Sequence, residues 1–242
     1  VGAPAMTGPA PAWYARRGGS GAGLITLLHP PYTLWHLGYV AIGAALAPRL
    51  DGRVLAGTLL AFAVGLGVSA HALDELHGHP LGTGLSDRVL VALAVGGFAV
   101  VAALAVVGAA EVSPWVLVWA AVGMVIATAY CLELVPALHT TLGFGLTWGA
   151  FPVLAGYWAQ TTSVDAAAVM AAAGAVLLSM AQRSLSTPAR FVRRDTGGAA
   201  VDFDADVPGW DGVELLRTWE RPLQLLGAAV VVLAVALLLT HR

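Results

Sequence analysis

The stretch "VLVALAVGGFAVVAALAVVGAA", residues 89–110, contains no charged side chain. At a rise of 1.5 Å per residue it makes a helix about 33 Å long, enough to cross the hydrocarbon core of a bilayer. Stretches of similar character occur at about 30–48, 53–73, 114–132, 141–160, 165–183 and 221–240. The expected fold is an all-α, polytopic membrane helical bundle of about seven transmembrane helices. The 141–160 stretch is the least uniform, because glycines, Pro152 and tryptophans interrupt it. Membrane helices accept such residues where neighbours or a cavity satisfy the freed backbone groups.

Composition agrees with a membrane protein. Hydrophobic residues make up 58% of the chain and charged residues 11%, against roughly 25% charged in soluble domains. The mean hydropathy is +0.80. The formal net charge is -2 and every basic side chain is arginine, with no basic face of the kind a duplex requires, so nucleic acid is excluded as a partner. The single cysteine, Cys131, lies in an apolar run and builds neither a disulfide framework nor a cysteine zinc site.

Residues 1–23 lack an apolar run directly behind a charged start. They read as a flexible Gly/Pro/Ala arm rather than a cleaved signal. Residues 24–242 read as one transmembrane helical domain with a cytoplasmic loop over about 184–220. Arg16, Arg17, Arg88, Arg183, Arg190, Arg193 and Arg194 all fall on one side of a seven-span chain, whereas Arg49, Arg53 and Arg242 fall on the other. The positive-inside rule then predicts the cytoplasmic membrane with the N-terminus in the cytoplasm. The ends of spans one, two, four, five and six that carry polar residues consequently share one face.

Against this apolar background "SAHALDELHGHPLGTGLSDR", residues 69–88, concentrates ionisable groups. His71, Asp74 and Glu75 lie three and four residues apart and share a helix face. His36 on span one, Glu133 at the end of span four and His139 before span five approach the same level. Ionisable groups inside a span are by default functional, because an unpaired charge in lipid costs several kcal/mol. His36, His71, Asp74, Glu75, Glu133 and His139 are therefore the candidate metal ligands, and Asp74 and Glu75 the candidate catalytic carboxylates. His29, His77 and His79 read as interfacial. In "HTTLGFGLTWGAFPVLAGYWAQTT", residues 139–162, aromatic residues including Trp148 and Tyr157 alternate with glycines. That pattern gives either an aromatic-walled substrate groove or close helix packing.

The order of these features resembles the UbiA-type intramembrane prenyltransferases, in which an acidic motif N-D-x-x-D-x-x-x-D closes the second helix and a second, D-x-x-x-D, follows the sixth. The run "WGAFPVLAGYWAQT" is similar to the end of the fifth helix in the menaquinone-pathway branch. The resemblance implies magnesium ions holding an isoprenoid diphosphate. It puts His71 at the asparagine place and Glu75 at the next carboxylate place, with Asp74 beside it. This chain departs from the pattern: two acidic positions of the first motif are missing, and "MAQRSLSTPARFVRRD" carries no D-x-x-x-D. Arg183, Arg190, Arg193 and Arg194 are the candidates to hold diphosphate directly.

Three readings follow. The first is a divergent UbiA-like enzyme acting on an isoprenoid or quinone-like lipid, with magnesium at a cytoplasmic-side site. The second is a membrane oxidoreductase or hydrolase on the same scaffold, its imidazole and carboxylate ligands suiting iron, zinc, copper or manganese. The third is a non-enzymatic lipid- or pigment-binding or transport protein. All three imply membrane lipids and a lipophilic small molecule as partners.

Overall fold

The computed structural model describes residues 12–16, 18–195 and 212–241. Among them every regular element is helical: α1 Ser20–Leu27, α2 Pro30–Ala45, α3 Gly52–Val64, α4 His71–Leu76, α5 Asp87–Glu111, α6 Trp115–Cys131, α7 Thr141–Phe144, α8 Phe151–Thr161, α9 Ala166–Asp195 and α10 Gly212–Leu239. A π-helical turn, Gly65–Ala70, joins α3 to α4, and a second, Gly145–Ala150, joins α7 to α8. Each trio forms one continuous rod.

Among the described residues four helices are long and apolar enough to cross a membrane: Gly52–Leu76, Asp87–Glu111, Ala166–Arg193 and Leu216–Leu239. Their outward faces agree with that role. Val95 is 65% exposed, Leu177 67% and Val232 67%, an apolar coat suited to lipid rather than to water. The other three expected spans are also helical. Two are shorter, Pro30–Ala45 and Trp115–Cys131. The third, the α7–α8 rod, is diluted by glycine, proline and tryptophan.

Two local expectations change. Residues 20–23, read as part of the arm, begin α1, and the Arg16 amide donates to Thr26 Oγ1 at 2.9 Å, tying the preceding chain to that helix. Residues 184–195, read as loop, continue α9, and residues 212–220 belong to α10. The ion pair of Arg193 with Glu220 at 3.4 Å joins these extensions and holds the two helices together.

Small residues bring the helices into contact. Gly43 of α2 and Gly156 of α8 lie directly against the partner backbone, at Val153 and Val40 respectively. Gly149 approaches Ala175 and Ser179 of α9 in the same way. Close approach of this kind replaces hydrophobic driving force, which lipid does not supply. Trp35, Tyr39 and Val153 fill the core between α2, α8, α9 and α10.

One end of the bundle is stitched by polar contacts. The Asp51 amide donates to Gln160 Oε1 at 2.8 Å, Arg53 pairs with Glu111 at 3.2 Å, and the Tyr157 hydroxyl donates to Asp165 at 2.7 Å. The opposite end is hollow.

Candidate functional site

The hollow end contains a cavity of about 980 Å3. His29, at the N-cap of α2, and Tyr32 and His36 in that helix's first turns stand on the cavity wall, and α4 brings His71 and Asp74. Tyr130 comes from the last turn of α6, Glu133 and His139 from the α6–α7 connection, Trp148 from the second π turn, and Gln182, Arg183, Arg190 and Arg193 from α9. Nine of the twelve residues singled out from sequence thus meet at one chamber: His36, His71, Asp74, Glu133, His139, Trp148, Arg183, Arg190 and Arg193. The other three do not. The Arg194 side chain lies outside the described residues. Tyr157 sits at the stitched end, bonded to Asp165. Glu75 is fully buried and is not part of the chamber wall.

Glu75 has a structural task. Its carboxyl accepts hydrogen bonds from the Leu81 amide at 2.9 Å, the Thr83 amide at 2.8 Å and the Thr83 hydroxyl at 2.9 Å. It therefore fixes the connection between α4 and α5, where Gly78, His79, Gly82 and Gly84 all adopt positive φ. His79 lies 3.8 Å from Glu75 and 3.4 Å from Asp87, adding a second tie.

The chamber residues differ in how committed they are. Arg183 donates to the His139 carbonyl at 2.6 Å and to the Tyr130 hydroxyl at 3.2 Å, and stands over the Phe144 ring. It positions the α6–α7 connection. His139 donates from Nε2 to the Tyr130 carbonyl at 2.7 Å, and its ring stacks on Tyr130. Arg193 is held by Glu220 and the Ala189 carbonyl. Arg190, by contrast, is exposed to the chamber and has no ion pair among the described residues.

Three histidines line the other wall. His29 and His71 stack with centroids 4.4 Å apart. The His71 Nδ1 faces the Gly67 carbonyl at 3.2 Å, and the His36 Nδ1 faces the Tyr32 carbonyl at 2.6 Å. The buried Nε2 atoms of His29 and His36, and Oε1 of Gln182, have no hydrogen-bond partner among the described residues. Tyr14 closes over this wall, its hydroxyl 3.0 Å from His29 Nδ1. Tyr14, Tyr32, Tyr130 and Gln182 were not among the site residues expected from sequence. The signal was present for Tyr32, one turn before His36 in "HPPYTLWH".

Burial, then the neighbouring His71 and Arg190, pushes the His29 imidazole well below its ordinary pKa, and burial pushes the Tyr14 phenol up. His29 is therefore neutral in the fold, while in an unfolded chain it takes a proton near pH 6.5. The unfolded state binds more protons below that pH, so stability falls as pH drops through about 6.5. Tyr14, Tyr32, His71 and Arg190 are the polar groups around it. Melting of the purified protein should come earlier at pH 5.5 than at pH 7.5, and His29→Asn should shrink the difference. An unchanged pH dependence in the variant would count against this role.

Among the described residues, no three His, Cys, Asp or Glu side chains converge as a metal site requires. Glu75, half of the carboxylate pair the resemblance implies, is occupied by the loop. The two carboxylates that the resemblance implies for magnesium are thus split, Asp74 on the chamber wall and Glu75 on the α4–α5 connection.

A second, apolar groove of about 350 Å3 lies between α3, α5, α6 and α8, walled by Phe62, Trp119, Phe151 and Trp158. Leu66 and Trp148 belong to the walls of both spaces. In the glycine-aromatic run of residues 139–162 the glycines pack helices, and aromatic rings line the chamber and the groove. No family model, curated protein or solved structure matches the chain.

Proposed function

We propose that this membrane protein takes up an amphipathic, isoprenoid-type lipid with an anionic head and acts on it as a divergent UbiA-like transferase. One observation carries the reading: a chamber bearing four arginines adjoins an aromatic-walled apolar groove, with Leu66 and Trp148 common to both. A charged head and a hydrocarbon tail on one molecule fit that juxtaposition. Arg190 and the exposed Arg16, which lines the same chamber, are the guanidiniums available to the head, since Arg183 and Arg193 are engaged with the protein. In a transfer reaction the bond between the allylic carbon and the diphosphate oxygen breaks. Arg190 stabilises the departing negative charge, and the acceptor bonds to that carbon and loses its proton.

Farnesyl diphosphate titrated into the full chain in nanodiscs tests the reading. Arg190→Gln should weaken binding about tenfold, the range of one charge-assisted hydrogen bond, and added salt should weaken it further. Binding indifferent to both would sink the proposal. Binding without turnover across a panel of lipophilic acceptors would leave a lipid-binding protein in place of the transferase.

A further inference from the structure

Moving a hydrocarbon tail from the bilayer into the apolar groove gains nothing from the hydrophobic effect, because lipid chains are as apolar as the groove itself. A groove that holds one tail in preference to the surrounding lipid must offer contacts that lipid lacks. The polar side chains in its walls do not supply them. Thr58 Oγ1 donates to the Val54 carbonyl at 2.8 Å, Thr147 Oγ1 donates to the Gly143 carbonyl at 2.9 Å, and Arg53 is paired with Glu111. Apart from indole N–H groups, the side chains that remain are hydrocarbon, the Met124 thioether and aromatic rings.

The rings form a row. On α8, Phe151 and Trp158 are seven residues apart, about 10 Å along the axis. Trp119 of α6 stands between them, its ring centroid 5.6 Å from that of Phe151 and 5.7 Å from that of Trp158. Phe62 of α3 lies 6.0 Å from Phe151. Phe151 follows the chamber-wall residue Trp148 by three positions, and Gln160, two positions after Trp158, bonds to Asp51 at the stitched end. The row therefore leads away from the chamber along the groove. Space beside it is kept on α3, where Val54, Gly57, Thr58, Ala61 and Gly65 recur at three- and four-residue intervals and form one groove-lining face. A Cβ at Gly57 would meet nothing within 4 Å.

The ligand chemistry that suits such a row is a chain with π bonds of its own. An aromatic ring has an electron-rich face and a positive edge, and setting one against the other gains more than the area buried. A carbon–carbon double bond presents the same pair, an electron-rich face and polarised C–H edges, whereas a saturated chain presents C–H groups alone. In an isoprenoid a double bond recurs every four carbon–carbon bonds, and with bonds of about 1.5 Å the extended repeat is roughly 5 Å. That repeat is close to the spacing of the rings.

We infer that the groove selects its tail by unsaturation: Phe62, Phe151, Trp119 and Trp158 contact the double bonds of an isoprenoid chain and discriminate against a saturated chain of the same length and branching. This rests on the reading of the chamber as the site of the anionic head and adds what separates the tail from the lipid around it.

Farnesyl diphosphate and its analogue saturated at the two double bonds farthest from the diphosphate share head, allylic bond, length and methyl branches. Displacement of radiolabelled farnesyl diphosphate from the full chain in nanodiscs, corrected for uptake by empty nanodiscs, compares them. Farnesyl diphosphate should bind about fivefold more tightly, within the range of one aromatic contact beyond area burial. In Trp119→Leu and in Phe151→Leu the ratio should fall toward one. Equal affinities in the unaltered protein, tighter binding of the saturated analogue, binding of neither compound, or an undiminished ratio in both variants would overturn the inference. The unaltered protein decides even where a variant does not fold. Arg190→Gln separates the two ideas, because both compounds carry the same head. Equal affinities that both fall in Arg190→Gln leave the head-group reading standing and remove this one. A fivefold preference with neither affinity altered by Arg190→Gln keeps the selective groove and removes the head-group reading.

Discussion

Glu75→Ala is expected to lower the melting temperature by about 10 °C while leaving the chamber's arginines and histidines in place. The side chain is fully buried and receives three hydrogen bonds from residues 81 and 83. Alanine leaves two backbone N–H groups without their acceptor in a connection where four residues, Gly78, His79, Gly82 and Gly84, already have positive φ. Losing a buried acceptor of this kind costs about 3 kcal/mol, and a chain of this size loses roughly 2–4 °C per kcal/mol. Glu75→Gln keeps one acceptor oxygen and should lose about half as much. A catalytic or metal-binding Glu75 predicts a different pattern, in which both variants lose activity and neither loses stability. Thermal unfolding of the two purified variants separates the cases, and a shift below about 1 °C for alanine would remove the structural assignment.

Gly43→Ala should be comparably damaging, although it adds a single methyl group. A Cβ at this position falls on the Val153 carbonyl oxygen, with the Val153 carbonyl carbon at 2.8 Å and the Tyr157 amide at 3.0 Å. These are backbone atoms of α8 and cannot rotate aside as a side chain would, so α2 and α8 must separate. Every contact between them then weakens, including those of Trp35, Tyr39 and Val153 in the core, for a cost of about 3 kcal/mol. Gly96→Ala supplies the contrast. It stands in open space on α5, where alanine is the better helix former by about 1 kcal/mol, and it should be neutral or slightly stabilising. Equal melting temperatures for the two variants would show that the α2–α8 approach is looser than described.

The apolar runs and the distribution of arginines were enough to predict a helical membrane protein with its polar residues at one end, because both depend only on span length and on which spans are odd or even. What lay beyond sequence was the direction of individual side chains. Asp74 and Glu75 are adjacent, yet the first lines the chamber and the second anchors residues 81 and 83. Trp148 and Tyr157 lie nine residues apart on one rod, about 14 Å along its axis, so a run that looked like one groove serves opposite ends. Arg183 and Arg190 share a helix and a charge, but the carbonyl of His139 claims only the first. Helical periodicity places residues on faces. It does not reveal which neighbour reaches them first.

The two π turns explain one of these failures and imply something about how the chamber is encoded. Each residue of an α-helix advances the face by about 100°, and a π turn accommodates one residue more than an α turn. The segment Gly65–Ala70 therefore sets His71 and Asp74 out of phase with α3, and Gly145–Ala150 does the same for α8 relative to α7. The lipid-facing stripe and the chamber-facing stripe of one rod are thereby indexed independently. The chamber is specified by a tally of positions as much as by their chemistry: drop one residue from either turn and the same histidine, aspartate or tryptophan would be spelled correctly but read in the wrong frame.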